Sequence, residues 1–139
     1  MRILAVDPGQ KRIGIAISDP TASIANPLTV LQHISRPVDA GVIADLAAEH
    51  QAGLIVVGQS LDEQGQPTLE GRRAARLAAA IKAQTDLPVE LWDESFSTSD
   101  ARAARLALSA PRRRRRGHLD ELAATVILQS YLDSRSSNQ

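Results

Sequence analysis

The chain has 139 residues, 16 basic and 16 acidic side chains, and no cysteine. A single domain spanning residues 1–139 can bury a core without covalent staples, and disulfides, zinc-thiolate sites and thiol nucleophiles are excluded. The zero net charge hides an asymmetry: residues 101–119 carry Arg102, Arg105, Arg112, Arg113, Arg114, Arg115 and Arg116 with no acid among them, and a polyanion senses that local concentration.

Residues 2–6 form an apolar strand that runs straight into Asp7, and a Pro8-Gly9 break follows. Residues 12–18 return as a second strand. There Ile13, Ile15 and Ile17 alternate with a nearly bare face of Gly14, Ala16 and Ser18, which permits close approach by a helix or a ligand. A third short strand is expected at residues 28–31. Residues 38–50 read as a helix with Val42, Ile43, Leu46 and Ala47 on one side. Residues 53–58 are a continuous apolar run bounded by glycines, as in a strand covered on both faces. A polar loop at 59–67 precedes an Ala- and Arg-rich helix at 68–85.

The strand at 87–92 leads into Asp93-Glu94. A helix over 98–109, a basic loop at 110–117 and a last helix over 118–133 complete the chain, with residues 134–139 expected to fray. No internal repeat or interdomain linker interrupts this order. It predicts an α/β fold with a five-stranded mixed sheet flanked by helices.

Apolar runs fall short of membrane-spanning length. The first residues lack the basic region and long apolar stretch of a secretory signal. A cytoplasmic protein with no membrane partner is expected, and the absence of cysteine suits a reducing compartment. With only Phe96, Trp92 and Tyr131 as aromatics, broad stacking on single-stranded bases is not expected.

Three acids stand where a structural role explains them least. Asp7 ends the first strand, Glu94 follows the last one, and Asp120 opens the last helix. If the first and last strands run parallel, Asp7 and Glu94 emerge at one sheet edge, where ligands of open α/β sheets bind. Asp120 heads a helical stripe of Ala123, Ala124, Ile127 and Tyr131 that suits the core side. It also fits the plainer role of a first-turn acid favoured by the helix dipole. Clustered carboxylates require a compensating cation. A hard divalent ion, Mg²⁺ or Mn²⁺, suits oxygen ligands. Two such ions about 4 Å apart can activate water and stabilise the leaving oxygen of a phosphodiester.

Other residues carry less. His33, His50 and His118 lack ligand spacing and read as surface or capping residues. Trp92 reads as a packing residue. Ser95, Ser97 and Ser99 have no nearby general base. Gly58, Gly65 and Gly71 do not form a phosphate loop.

Residues 6–19, VDPGQKRIGIAISD, closely resemble the opening of the YqgF/RuvX family. The resemblance continues through VVG at 56–58, WDESFST at 92–98 and RRRRRGHLDELAATVILQSYL at 112–132. It implies a ribonuclease H-like fold and a nuclease of the two-metal-ion type. Such a nuclease would process the 5′ end of the 16S ribosomal RNA precursor or act on Holliday junctions, as a monomer or homodimer. By motif, the family's catalytic and metal-binding acids fall on Asp7, Glu94 and Asp120. Lys11, Arg12 and the run from Arg112 to Arg116 are the expected nucleic-acid contacts. Two departures stand out. Ser95 takes the place of the family's usual arginine after Asp-Glu, and Gly58-Gln59-Ser60 replaces Gly-Leu-Pro.

The leading reading is a metal-dependent nuclease acting on precursor ribosomal RNA. The alternatives are a resolvase of branched DNA and a non-catalytic RNA-binding factor. A sugar-kinase or actin-like ATPase also begins with a strand, an acid-glycine turn and a returning strand, but needs two such domains.

Overall fold

The computed structural model describes residues 1–96 and 112–137, with the side chains of residues 96, 112–121 and 137 outside the described set. β1 (Arg2–Pro8) and β2 (Arg12–Ser18) form an antiparallel hairpin in which Asp7 lies opposite Gly14. Its turn is tight. A Cβ on Gly9 would lie 2.2 Å from the Arg12 carbonyl oxygen, so the return excludes a side chain there. β3 (Ala25–Gln32) pairs antiparallel with β2, while β4 (Ala52–Gln59) and β5 (Val89–Asp93) add in parallel on the other side. The sheet order is β3-β2-β1-β4-β5, the five-stranded mixed sheet expected from the pattern.

Helices cover both faces. α1 (Arg36–Glu49) and α2 (Leu69–Lys82) enclose one core layer with Leu4, Val6, Ile55 and Val57. α3 (Arg112–Ser137) covers the other face, where Ala124, Leu128, Tyr131 and Leu132 meet Ile3, Ala5, Ala16, Leu54 and Val56. This double cover is why β1 and β4 are apolar on both sides. It also answers the bare face of β2, where Ala16 lets α3 come close.

Several boundaries differ from the sequence reading. β3 begins at Ala25, ahead of the expected start at 28, because Pro27 is tolerated on an edge strand. α1 starts at Arg36, capped by the Ser35 hydroxyl, which accepts from the Val38 N–H at 3.4 Å. Pro37 in the first turn costs little because that N–H is unpaired in any helix. The buried stripe of α1 is Ala40, Ile43, Ala44 and Ala47, and Val42 is exposed. Thr68 caps α2 rather than beginning it, accepting from the Gly71 N–H at 3.1 Å, and α2 ends at Lys82.

The largest correction concerns the C-terminal third. Residues 112–117 of the expected basic loop and 134–137 of the expected frayed tail belong instead to one continuous helix over Arg112–Ser137, while 110–111 and 138–139 lie outside the described residues. Arginine is a good helix former, and a single glycine at Gly117 weakens a helix without ending it. Near the other end, the Arg135 guanidinium lies 5.8 Å from the centre of the Tyr131 ring one turn earlier. Arg135 also suits the negative end of the helix dipole. The helix expected over 98–109 lies outside the described residues. No described helix is long and apolar enough to cross a membrane.

Candidate active site

The alternation along β1 aims Asp7. Ile3 and Ala5 face α3, so Asp7 is the next residue on that side. β1, β4 and β5 run parallel, and their carboxyl ends share one edge. Glu94 begins a 3-10 turn (Glu94–Phe96) directly after β5, and the Asp93 carboxylate holds that turn by accepting from the Ser95 N–H at 2.9 Å. Asp7 and Glu94 meet there, their carboxyl groups within hydrogen-bonding reach of each other.

Between them, β4 contributes Gly58. A Cβ at this position would lie 2.7 Å from Ile127 Cδ1 and 3.0 Å from Glu94 Oε1. Only a bare backbone lets the helix and the carboxylate close over the strand end. The resulting cavity of about 270 Å³ is lined by Asp7, Pro8, Gly58, Ser60, Glu70 and Glu94. Burial pushes the Glu94 carboxyl above its ordinary range. The hydrogen bond with Asp7 pulls it down, while the negative charges of Asp93 and Glu70 push it up further.

Of the residues singled out from sequence, Asp7 and Glu94 are thus brought together. Asp120 lies in α3, seven residues before Ile127, and its side chain is outside the described set. The same holds for the side chains of Arg112 to Arg116, which occupy the first turns of that helix, and of His118. Lys11 and Arg12 are exposed on the hairpin that follows Asp7. His50 is the C-cap of α1. Trp92 packs as expected, donating from Nε1 to the Ser130 hydroxyl at 3.2 Å with its ring edge-on to Tyr131. Among the described residues, no group of three His, Cys, Asp or Glu side chains is placed to hold a metal ion.

Two members of the site escaped sequence reasoning. Glu70, in the first turn of α2 just after the Thr68 cap, has the helix dipole as its ordinary explanation. Nothing in its sequence position says that the turn ends beside Asp7. Gly58 gave a signal as the glycine closing an apolar run, which marks close approach of another group, but not which group approaches.

Residues 1–134 match the family model of RuvX, described as Holliday junction resolvase. The chain belongs to the RuvX family. A relative from Syntrophus aciditrophicus (strain SB) is 38% identical over 139 residues, covering 100% of this chain and 93% of its own. One from Pelotomaculum thermopropionicum is 39% identical over 137 residues, covering 97% and 88%. Both carry the name "Putative pre-16S rRNA nuclease". Among solved structures, Thermus thermophilus RuvC in complex with Holliday junction substrate superposes with a TM-score of 0.64 at 14% identity, over 99% of this chain and 96% of that one. Fowlpox virus resolvase with substrate Holliday junction DNA gives 0.57 at 13% identity, over 97% and 99%. At these identities the likeness defines the fold, and the RuvX chain has the ribonuclease H-like architecture.

Proposed function

We propose that this RuvX chain is a divalent-metal-dependent nuclease that processes the 5′ end of the 16S ribosomal RNA precursor. The observation that carries the reading is the Asp7–Glu94 pair. Two carboxylates, one at the end of β1 and one just after β5, share one cavity at the carboxyl edge of the sheet. The names of the full-length relatives supply the substrate class.

The donor set suits a hard cation. Asp7, Glu94 and Ser60 offer oxygen only, and two adjacent carboxylates ionise together far more readily with positive charge between them. Asp7, Glu94 and Asp120 would hold Mg²⁺ or Mn²⁺, one or two ions. Such an ion supplies activation of water and stabilisation of the leaving oxygen of a phosphodiester. The chain itself provides the rest. Asp7 and Glu94 would set the ion's place at the sheet edge, and Gly58 keeps the floor of the cleft open. Lys11, Arg12 and Arg112 to Arg116 grip the strand's phosphates, contacts that position the substrate without reading its sequence. The protein acts in the cytoplasm, where the precursor is made.

A second reading, cleavage of four-way DNA junctions, is favoured by the description of the family model. Symmetric cuts would then require a dimer with two sites. Purified protein with Mg²⁺ or Mn²⁺ is expected to cut a pre-ribosomal RNA leader in preference to a four-way DNA junction. The Asp7→Asn protein is expected to cut neither. Unchanged cutting by Asp7→Asn would sink the site assignment, and preference for the junction would replace the RNA reading. RNA binding without any metal-dependent cutting would leave a non-catalytic binding factor.

A further inference from the structure

A second cavity, of about 340 Å³, lies beside the acidic one and shares Pro8 and Glu70 with it. It opens on the α1–α2 side of the sheet and is floored by Ile13 and Leu77. Its polar wall includes two arginines. Arg36, at the start of α1, and Arg73, in α2, both line it. Neither guanidinium has a hydrogen bond or ion pair among the described residues.

Two acids also line the cavity, and one of them is committed elsewhere. Asp39 is only 4% exposed. Its Oδ1 accepts from the Ile34 N–H at 3.0 Å, and its Oδ2 lies 2.5 Å from His33 Nδ1. An ionised carboxylate can only accept, so Nδ1 carries the proton in that contact and the other ring nitrogen is left over. Asp39 therefore anchors the His33 ring at the cavity wall. That leaves Glu70 against two uncommitted guanidiniums. The planar guanidinium fork matches phosphate oxygens better than it matches water.

We propose that this cavity is a phosphate subsite for the substrate strand. It takes a phosphodiester flanking the one that reacts at the Asp7–Glu94 site. Arg36 and Arg73 are its contacts, and the His33 ring, held by Asp39, walls one side. The inference rests on the nuclease reading for the identity of the strand, but the subsite is tested by equilibrium binding alone.

The probe is a short fluorescent single-stranded oligoribonucleotide, titrated with full-length protein in EDTA over a series of salt concentrations. Wild-type and Arg36→Gln/Arg73→Gln proteins are compared, with matched thermal melts as the check on folding. The double variant is expected to bind roughly tenfold more weakly, with the slope of log affinity against log salt reduced by about 0.7 to 1. Equal affinity and equal slope would overturn the subsite. Adenosine monophosphate and inorganic phosphate, titrated while the amide resonances of residues 33–39 are followed, separate the strand from a free phosphate ester. Shifts produced by the oligonucleotide support the strand. Shifts produced by the monophosphate alone assign the cavity to a free nucleotide and overturn the proposal. Because no cleavage is measured, failure of the nuclease reading leaves this outcome intact and separately readable.

Discussion

Asp7 is a half-buried acid at the end of an otherwise buried strand, and its neighbours decide what it can do. Gly58 keeps the space beside it clear of a side chain. The Gly58→Ala protein must move Ile127 or Glu94 to admit the new methyl group. We expect a loss of about 1–3 kcal/mol in urea unfolding, with a displaced Glu94 and weaker divalent-ion binding by calorimetry. Asp19 shows a different use of a carboxylate. It closes the turn after β2, accepting from the Thr21 hydroxyl and from the N–H groups of Ser23 at 2.8 Å and Ile24 at 3.0 Å. These bonds, the Thr21 hydroxyl first, lower its pKa from 3.8 to about 2. A depressed folded-state pKa contributes stability above the unfolded value, and that contribution is lost as pH falls through the folded one. Asp19→Ala should therefore lower the urea midpoint at neutral pH, and the gap from wild type should narrow as pH falls from 3.8 towards 2. A gap independent of pH would show that the turn does not depend on the ionised side chain.

Among the elements, α3 has the most to organise. It covers the sheet face that Asp7 shares with Ile3 and Ala5, and through Ile127 it reaches the strand end at Gly58. Gln129 ties it to the β2–β3 connection, accepting from the Ala25 N–H at 2.9 Å and donating to the Ser23 carbonyl at 3.1 Å. Tyr131 donates to Glu90 at 2.7 Å and so ties the helix to β5. Leu128 is fully buried at the centre of this contact. Leu128→Ala is expected to cost about 2–5 kcal/mol in urea unfolding, the range for a large-to-small change that leaves a cavity. The apolar stripe of α3 was legible from Ala124, Ile127 and Tyr131 alone. Its start was not, because five consecutive arginines look like a solvated loop until the residues after them supply a helix to extend.

For the whole molecule, a divalent ion held by the paired acids would make folding stability respond to that ligand. A divalent ion that binds the native site and not the unfolded chain stabilises by mass action, by about 2.7 kcal/mol at a hundredfold excess over its Kd. Mg²⁺ or Mn²⁺ should therefore raise the thermal midpoint by several degrees, and the Asp7→Asn protein should show little of that rise. An equal rise in both proteins would place the ion elsewhere. The two cavities extend this view. One edge of the sheet carries the Asp7–Glu94 cavity on the α3 side and, on the α1–α2 side, a cavity that adds Arg36 and Arg73, the two sharing Pro8 and Glu70.

The order of strands and helices, the two-sided cover of β1 and β4, and the exceptional position of Asp7 were written in hydrophobic period and turn chemistry. Those are local properties, and a single chain segment carries them. So was the family, through motifs that keep their order along the chain. Only the tertiary structure decided that Asp7 and Glu94 share a cavity, that Glu70 joins it, and that His33 is held by Asp39 beside two uncommitted arginines. Those relations depend on strand order across the sheet and on where a helix end falls. Residues far apart in sequence are brought together by packing, which no local pattern records.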